Sequence, residues 1–246
     1  MKLTVIYRIS NNSYDKKRLP HATKEHCLRN FVKNFLTPHS MVNQHCSFVI
    51  LKDGCDETTS EMVNQIVAQH IVYGHGMPNA QVKEVQGGSS AQSFNRALDF
   101  ALNLPEDEHV YFVEDDYLHL PGSRMILEEG LERAHYVSLY DHLDKYVDDG
   151  GNPYVDDGGE ITRVYKTKTC HWKLTNSTTM TFATSVPILR ADESVWREHT
   201  KGQYPRDFDA FIALRNIGRT VATPIPGYST HAEIAWLSPF TDWSKV

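Results

Sequence analysis

Residues 110–116 read Val-Tyr-Phe-Val-Glu-Asp-Asp, an apolar run that ends in three consecutive carboxylates. Valine, tyrosine and phenylalanine favour a strand, and open α/β sheets bind ligands beyond the carboxyl ends of their strands. Three like charges at that position repel one another and are costly to desolvate. A divalent cation would remove the cost, and carboxylate oxygens suit Mg²⁺ or Mn²⁺. The alternative is a solvated acidic turn, but the preceding strand favours a metal site.

Strand and helix patterns alternate around this stretch. Apolar β-type runs predict strands at 3–9, 47–51, 81–85 and 109–113, and apolar residues at helical spacing predict helices at 22–35, 57–69 and 91–102. The order predicts an α/β protein with a mainly parallel central sheet and helices on both faces. Polar or acidic residues follow several of these strands, so we expect them to converge at one edge of the sheet.

The second half of the chain has less regular patterns. They predict a helix at 124–132, a strand at 178–186, a helix at 207–217, and a strand at 220–224 with a loop through His231. Residues 146–151 and 154–159 both read Tyr-Val-Asp-Asp-Gly-Gly. Asp-Gly pairs favour hairpin turns, and a calcium loop is the alternative. Because no linker or composition break divides the chain, we expect a single domain over 1–246.

Composition excludes several classes of protein. The 246 residues are 40% hydrophobic and 23% charged, which is typical of a globular protein. The net charge of −6 argues against a nucleic-acid partner, and no apolar run approaches the length of a transmembrane segment. The first residues predict a strand rather than a signal peptide. The four cysteines have no CxxC spacing, which argues against zinc and favours a reduced, cytoplasmic location.

Four segments carry a family resemblance. Residues 49–58 read Val-Ile-Leu-Lys-Asp-Gly-Cys-Asp-Glu-Thr, and residues 88–98 run from a glycine to Asn-Arg-Ala-Leu. These segments resemble motifs of GT-A glycosyltransferases of family 2. Residues 49–58 resemble the family's DDGSxDxT segment, and residues 88–98 resemble its segment of a glycine followed by xxxARNxGL. Glu114-Asp115-Asp116 takes the place of its DxD motif. Residues 206–218 resemble that family's EDxDLxxRxxxxG helix. Lys52 and Arg206 stand where the family has acids.

The resemblance implies the GT-A fold, a Rossmann-like α/β architecture of nucleotide-diphospho-sugar transferases. Residues 1–120 would bind the nucleotide sugar and residues 121–246 the acceptor. The implied activity is that of a metal-dependent, inverting glycosyltransferase with Mn²⁺ or Mg²⁺ as cofactor. A UDP-sugar is favoured over GDP- or dTDP-sugars as the donor, and the acceptor is a glycan, a glycoconjugate or another hydroxyl compound. Such chemistry needs a cation at the departing diphosphate and a carboxylate that takes the acceptor's proton.

The same resemblance implies roles for single residues. The implied contacts of the nucleotide-sugar donor are Arg8, Asp53, Ser90, Asn95, Glu114 and Asp115, and the implied metal ligands are Asp116 and His231. Asp207 is the implied catalytic base and Asp209 the second candidate, although Asp207 could instead be a helix N-cap. Asp53 could be a turn residue, and His231 could be a packed loop residue. Trp172, by its residue type, could stack on a sugar in the donor site or be a core aromatic.

Two other functions stay open. A nucleotidyltransferase on a related sheet would carry a Gly-rich, basic loop after its first strand, whereas residues 11–15 read Asn-Asn-Ser-Tyr-Asp. A non-catalytic glycan-binding protein could retain the fold without the chemistry. We also expect residues 227–231, rich in Gly, Ser and Thr, to form a loop that becomes ordered when the donor binds.

Overall fold

The computed structural model describes residues 1–11, 16–36, 46–72, 80–146 and 160–246. Strands and helices alternate in the first half. They are β1 (Lys2–Ser10), α1 (Lys24–Phe31) with a π-helical extension (Val32–Leu36), β2 (Cys46–Asp53), α2 (Glu57–Val72), β3 (Ala80–Val85), α3 (Ser90–Leu102) and β4 (Glu108–Glu114). All the elements predicted in this half are present.

The second half contains shorter elements. They are β5 (Tyr117–His119), α4 (Ser123–Leu131), β6 (Tyr136–Val137), β7 (Val164–Lys166), β8 (His171–Thr175), β9 (Phe182–Ser185), α5 (Val186–Ala191), α6 (Glu193–His199), α7 (Asp207–Asn216), β10 (Val221–Ile225) and β11 (Ser229–His231). The predictions of α4, α7 and β10 are confirmed, and Gly218, with a φ of 87°, follows α7 as expected of a residue that ends a helix.

Four neighbouring strands, in the order β3, β2, β1 and β4, are parallel. In their register Arg8 of β1 lies opposite Leu51 of β2 and Glu114 of β4. Parallel strands in this register end at the same edge of the sheet, which is where ligands bind in open α/β sheets. The residues that follow β1, β2 and β4 therefore meet at one edge.

Beyond β4 the sheet continues as β9, β6, β10, β8 and β7. Strand β9 is antiparallel to β4 and β6, β6 is parallel to β10, and β8 is antiparallel to β10 and β7. Among the described strands of this sheet, only β8 and β9 therefore run against the direction of β1. The prediction of a mainly parallel sheet is confirmed.

Helices cover both faces of the sheet because side chains alternate along each strand. Tyr111 of β4 packs at 5.1 Å between ring centroids from Phe35, in the core that includes the α1 segment. Its neighbour Phe112 points to the other face and packs at 5.2 Å from Phe94 of α3. Two apolar cores thus hold β4 in place, and with it the three carboxylates at its end.

Two predictions for the second half need correction. The strand predicted at 178–186 is limited to β9, Phe182–Ser185. Helix α5 begins at Val186, with Pro187 in its first turn. Before β9, the hydroxyl of Thr181 accepts a hydrogen bond from the backbone N–H of Glu114 at 3.1 Å. The loop predicted through His231 contains β11 instead, which pairs with β5 so that His231 lies opposite Tyr117. That this segment is less ordered without nucleotide stays a prediction.

The predictions for the repeated segments and for the domain organisation are not tested by the described residues. Of the two Tyr-Val-Asp-Asp-Gly-Gly segments only Tyr146 is described, so the turn prediction lies outside the described residues. A single domain with donor-binding and acceptor-binding halves stays a prediction. In the described part of the chain, no helix is both long and apolar enough to cross a membrane.

Candidate active site

A cavity of about 560 Å³ lies at the carboxyl edge of the parallel strands. It is lined by residues from the ends of β1, β2 and β4, from the starts of α3 and α7, and from β11. Eight of the eleven site residues predicted from the sequence are in its wall: Arg8, Asp53, Ser90, Glu114, Asp115, Asp116, Asp207 and His231. The structure therefore gathers in one place residues that are up to 223 positions apart (231 − 8).

Basic side chains pair with each member of the acidic triplet. The guanidinium of Arg8 lies 3.1 Å from Glu114, and the ammonium of Lys24 lies 2.6 Å from Asp115. These contacts offset the repulsion that made a divalent cation seem necessary from the sequence alone. The need for a metal must therefore be argued from Asp116 itself.

Asp116 is in contact with a guanidinium and an imidazole. Its Oδ2 accepts a hydrogen bond from Arg18 at 3.0 Å and lies 2.9 Å from Nε2 of His231. The backbone fixes this geometry, since β11 pairs with β5 and the N–H of Ala232 donates to the Asp116 carbonyl at 2.9 Å. His231 is thus held by strand pairing beside the last carboxylate of the triplet.

Burial and pairing shift the ionisation of this cluster in opposite directions. Burial disfavours the charged form of Asp116, but its contacts with His231 and Arg18 outweigh burial and hold its pKa well below the usual range. Burial likewise disfavours a charged imidazole, yet Asp116 raises the pKa of His231 above its ordinary value. The pKa values of Glu114 and Asp115 are raised, chiefly by burial and despite Arg8 and Lys24. Such opposed shifts in one cavity are typical of functional sites.

The wall beside the triplet is built from β2 and the start of α3. Asp53 is almost fully buried and its Oδ1 accepts a hydrogen bond from the N–H of Gly87 at 2.9 Å. A Cβ at Gly87 would overlap that carboxylate, so the glycine permits the close approach. Arg8 donates to the carbonyl of Ser90 at 3.4 Å, and its guanidinium lies 5.5 Å from the ring centroid of Phe94. Arg8 is thereby fixed between β4 and α3.

Asp207 is the first residue of α7 and lines the cavity. Its Oδ1 accepts a hydrogen bond from the N–H of Phe208 at 2.8 Å, and it is not the N-cap, which is Arg206. Burial raises the pKa of Asp207, which makes its carboxylate a stronger base than an exposed one. The structure therefore places in the cavity wall a carboxylate whose pKa is raised.

The remaining three predicted site residues lie outside the cavity wall. Asp209 points to Arg206 at 3.8 Å with its side chain 47% exposed. Asn95 accepts hydrogen bonds from Arg197 at 3.2 Å and from the hydroxyl of Thr200 at 3.0 Å, and so joins α3 to α6. The structure does not bring either residue to the predicted site.

Trp172 is fully buried in β8, so the sugar-stacking role suggested for it does not fit the structure. Its ring stacks on Tyr165 at 6.4 Å between centroids, and its Nε1 donates to the hydroxyl of Thr167 at 3.0 Å. It packs so closely on Gly130 that a Cβ there would overlap the indole. Of the two alternatives, a sugar-stacking residue or a core aromatic, Trp172 is a core aromatic.

Sequence reasoning missed several residues of the cavity. Arg18 and Lys16 line it, as do His142 and Trp236, whose rings lie 5.3 Å apart. The adjacent cations Lys16-Lys17-Arg18 were a signal of a possible anion or carboxylate contact. Nothing in the sequence pointed to the pairing between the segment after residue 15 and the segment after β11.

A divalent metal fits the site only when it is shared with a substrate. In the described ranges, no group of three or more His, Cys, Asp or Glu side chains is placed to hold a metal ion. Asp116 and His231 nevertheless offer an oxygen and a nitrogen that lie side by side. Mg²⁺ uses few protein ligands and takes the rest from water and substrate phosphates, and imidazole with carboxylate suits several divalent ions. Asp116 and His231 therefore suit a divalent cation whose remaining ligands come from a bound phosphate group.

Solved structures of other proteins share this fold. A structure of GalNAc-T7 with UDP, GalNAc and Mn²⁺ aligns with a TM-score of 0.60 and 10% identity, covering 94% of this chain and 43% of that one. The galactosyltransferase LgtC with donor and acceptor sugar analogues aligns with a TM-score of 0.51 and 12% identity, covering 89% and 72%. A nucleoside-diphosphate-sugar pyrophosphorylase from Vibrio cholerae RC9 aligns with a TM-score of 0.50 and 8% identity, covering 94% and 96%.

These likenesses confirm the predicted GT-A, Rossmann-like α/β fold. The chain spans less than half the length of the GalNAc-T7 chain that it matches. No protein-family model matches the sequence, and no curated protein matches it. Since fold does not determine function, the activity must be argued from the site.

Proposed function

We propose that this chain is a metal-dependent, inverting glycosyltransferase that moves a sugar from a nucleotide-diphosphate donor to a hydroxyl of a glycan or another acceptor. One observation carries the proposal. One cavity at the carboxyl edge of a GT-A sheet contains the paired Asp116 and His231 together with Asp207, a partly buried carboxylate of raised pKa. The first two suit a cation and the third suits a general base.

The donor would bind along the ends of β1, β2 and β4. Arg8 and Asp53 are proposed to contact the nucleoside, with Glu114 and Asp115 near the ribose. At the start of α3 the N–H groups of Ala91 and Gln92 already bond the Gln203 carbonyl and the Ser89 hydroxyl, so the proposed donor contact there is Ser90, which lines the cavity. A UDP-sugar is the proposed donor, as in the family that the sequence resembles.

Mn²⁺ or Mg²⁺ would be held by Asp116 and His231. Such an ion stabilises the negative charge on a departing diphosphate. The guanidinium of Arg18 and the imidazole of His231 both contact this carboxylate. These residues keep Asp116 ionised and oriented until the donor arrives.

Asp207 would act on the acceptor. As the acceptor oxygen forms a bond to the anomeric carbon, its proton passes to the Asp207 carboxylate and the bond to the diphosphate oxygen breaks. A single displacement of this kind inverts the anomeric configuration. The raised pKa of Asp207 favours proton uptake.

A nucleotidyltransferase is the second candidate, because the pyrophosphorylase from Vibrio cholerae RC9 has the same fold over 96% of its chain. Residues 11–18, which follow β1, contain no glycine and so lack the Gly-rich loop that would bind a nucleoside triphosphate, although Lys16, Lys17 and Arg18 are basic. A product assay separates the two candidates. The protein is given UDP-, GDP- and dTDP-sugars with Mn²⁺, or nucleoside triphosphates with sugar 1-phosphates, and products are followed by NMR.

The proposal predicts release of a nucleoside diphosphate and an inverted anomeric product from one nucleotide sugar. Formation of pyrophosphate and a nucleotide sugar would favour the nucleotidyltransferase. Binding of a glycan without either reaction would indicate a non-catalytic glycan-binding protein.

A further inference from the structure

Arg18 lies at the same Asp116 carboxylate oxygen as His231, the other proposed metal ligand. One terminal nitrogen of Arg18 lies 3.0 Å from Oδ2 of Asp116, and His231 Nε2 lies 2.9 Å from the same oxygen. A guanidinium and a divalent cation at one carboxylate oxygen would repel each other strongly in a partly buried site. A metal at this oxygen would therefore compete with Arg18 for Asp116.

The backbone around Arg18 is fixed independently of its side chain. Arg18 forms an antiparallel bridge with Glu233. The N–H of Leu19 donates to the carbonyl of Ala232 at 2.9 Å, and the N–H of Ile234 donates to the carbonyl of Lys17 at 3.0 Å. The side chain, 21% exposed, reaches from this anchored strand into the cavity. It can change partner without unfolding the segment that carries it.

The guanidinium has hydrogen-bonding capacity that Asp116 does not use. Within the part of the chain that is described, the buried Nε of Arg18 has no hydrogen-bond partner. An arginine offers five donors in a fork that matches phosphate oxygens. Lys16, which pairs with Glu233 at 3.3 Å, lines the same cavity. Both residues are therefore within the space that a diphosphate would enter.

We propose that Arg18 is an exchangeable counter-ion, which neutralises Asp116 in the nucleotide-free protein and moves to the donor's diphosphate when a divalent cation takes Asp116. The inference rests on the proposed function and adds a second ligand for the diphosphate. Lys24 differs from Arg18, since it pairs with Asp115 at 2.6 Å from outside the cavity wall. The exchange is assigned to Arg18 because its partner Asp116 also pairs with His231, the other proposed metal ligand, whereas Arg8 pairs with Glu114.

The test measures two affinities of the full chain. Binding of Mn²⁺ alone, without nucleotide, is followed by the EPR signal of free Mn²⁺, and binding of UDP at saturating Mn²⁺ is followed by calorimetry. Arg18→Gln removes the competing charge, so its Mn²⁺ affinity should rise about tenfold, while its UDP affinity should fall about tenfold. Arg18→Lys keeps a competing charge and should return the Mn²⁺ affinity toward the wild-type value.

Arg29→Gln is the matched control, since Arg29 pairs with Glu25 at 2.8 Å away from the cavity. It should change neither affinity. A purely structural role for Arg18 would weaken both affinities, and that result overturns the exchange. If Arg18→Gln binds Mn²⁺ no tighter than wild type while Asp116→Asn abolishes Mn²⁺ binding, the exchange is wrong and the proposed function stands. If wild type and Arg18→Gln both fail to bind Mn²⁺ alone, the exchange is wrong; if both also bind UDP equally with and without Mn²⁺, the metal site of the proposed function is wrong as well.

Discussion

His231 Nε2 lies 2.9 Å from Asp116 Oδ2, although the two residues are 115 positions apart in the chain. The pairing of β11 with β5 brings them together, so the backbone itself holds the two side chains side by side. This differs from the sequence-based expectation of a loop. His231 is preorganised, which lowers the entropy that ligand binding must overcome.

The position of His231 predicts a metal-linked role. His231→Ala should weaken UDP binding in Mn²⁺ by at least about tenfold, the scale on which residues around a metal site affect affinity. In excess chelator the loss should be much smaller, because the ring then acts only through its charge. Calorimetry with and without Mn²⁺ measures both losses. His171→Ala, an exposed histidine of β8, is the control, and equal losses in both conditions would return His231 to a packing role.

Asp207 is expected to act on the acceptor rather than on the nucleotide. Asp207→Asn keeps the shape of the side chain but removes the base, so transfer should fall by roughly 10²–10⁴. The affinity for UDP should barely change. Steady-state transfer rates and UDP titrations check both parts. Asp209→Asn should stay active, since that carboxylate points away from the cavity; the reverse pattern would mean that the motif is aligned two residues off.

The raised pKa of Asp207 also predicts an effect on stability. Because burial makes the folded protein bind this proton more tightly than the unfolded chain, the ionised carboxylate lowers the free energy of unfolding. The penalty is absent below the unfolded pKa of about 3.9 and is complete above the folded pKa. Asp207→Asn should therefore raise Tm at pH 7, and the gain should shrink as the pH falls toward about 4. A lower Tm at pH 7 would show that the carboxylate stabilises the fold.

The core position of Trp172 predicts a loss of stability without a loss of binding. Trp172→Phe removes the hydrogen bond to Thr167 and part of the packing against Gly130. The free energy of unfolding should fall by about 1–3 kcal/mol, as measured by urea denaturation. Donor affinity should not change in the folded variant. A selective loss of donor binding would restore the sugar-stacking role.

The sequence predicts the first half of the fold well because its signals are local. The buried parallel strands and their helices have apolar residues at fixed spacing, and Tyr111 and Phe112 of β4 alternate between the two faces. The second half depends on distant pairing. Strands as short as Tyr136–Val137 form because they pair with β9 and β10, and such pairing leaves little pattern in the sequence.

The site residues, too, could be predicted where their signal is local and not where it depends on distant contacts. Residues that directly follow strands, such as Asp53 and Asp116, could be located from the sequence because strand ends converge. Arg18 could not, since its partner Asp116 is 98 positions away and the contact depends on the bridge to Glu233. Trp172 was misplaced because residue type alone does not distinguish a core aromatic from a site aromatic.

Asp116 provides the most direct test of the proposed function. Release of UDP from UDP-sugars is measured in Mn²⁺ and in excess chelator for wild type, Asp116→Asn and Asp107→Asn. Asp107 is an exposed carboxylate that pairs with Lys2, at the opposite end of β4 from the site. We expect wild type and Asp107→Asn to release UDP only with the metal, and folded Asp116→Asn to be inactive in both conditions. Full turnover by wild type in chelator, or by Asp116→Asn in Mn²⁺, would contradict a metal-dependent glycosyltransferase.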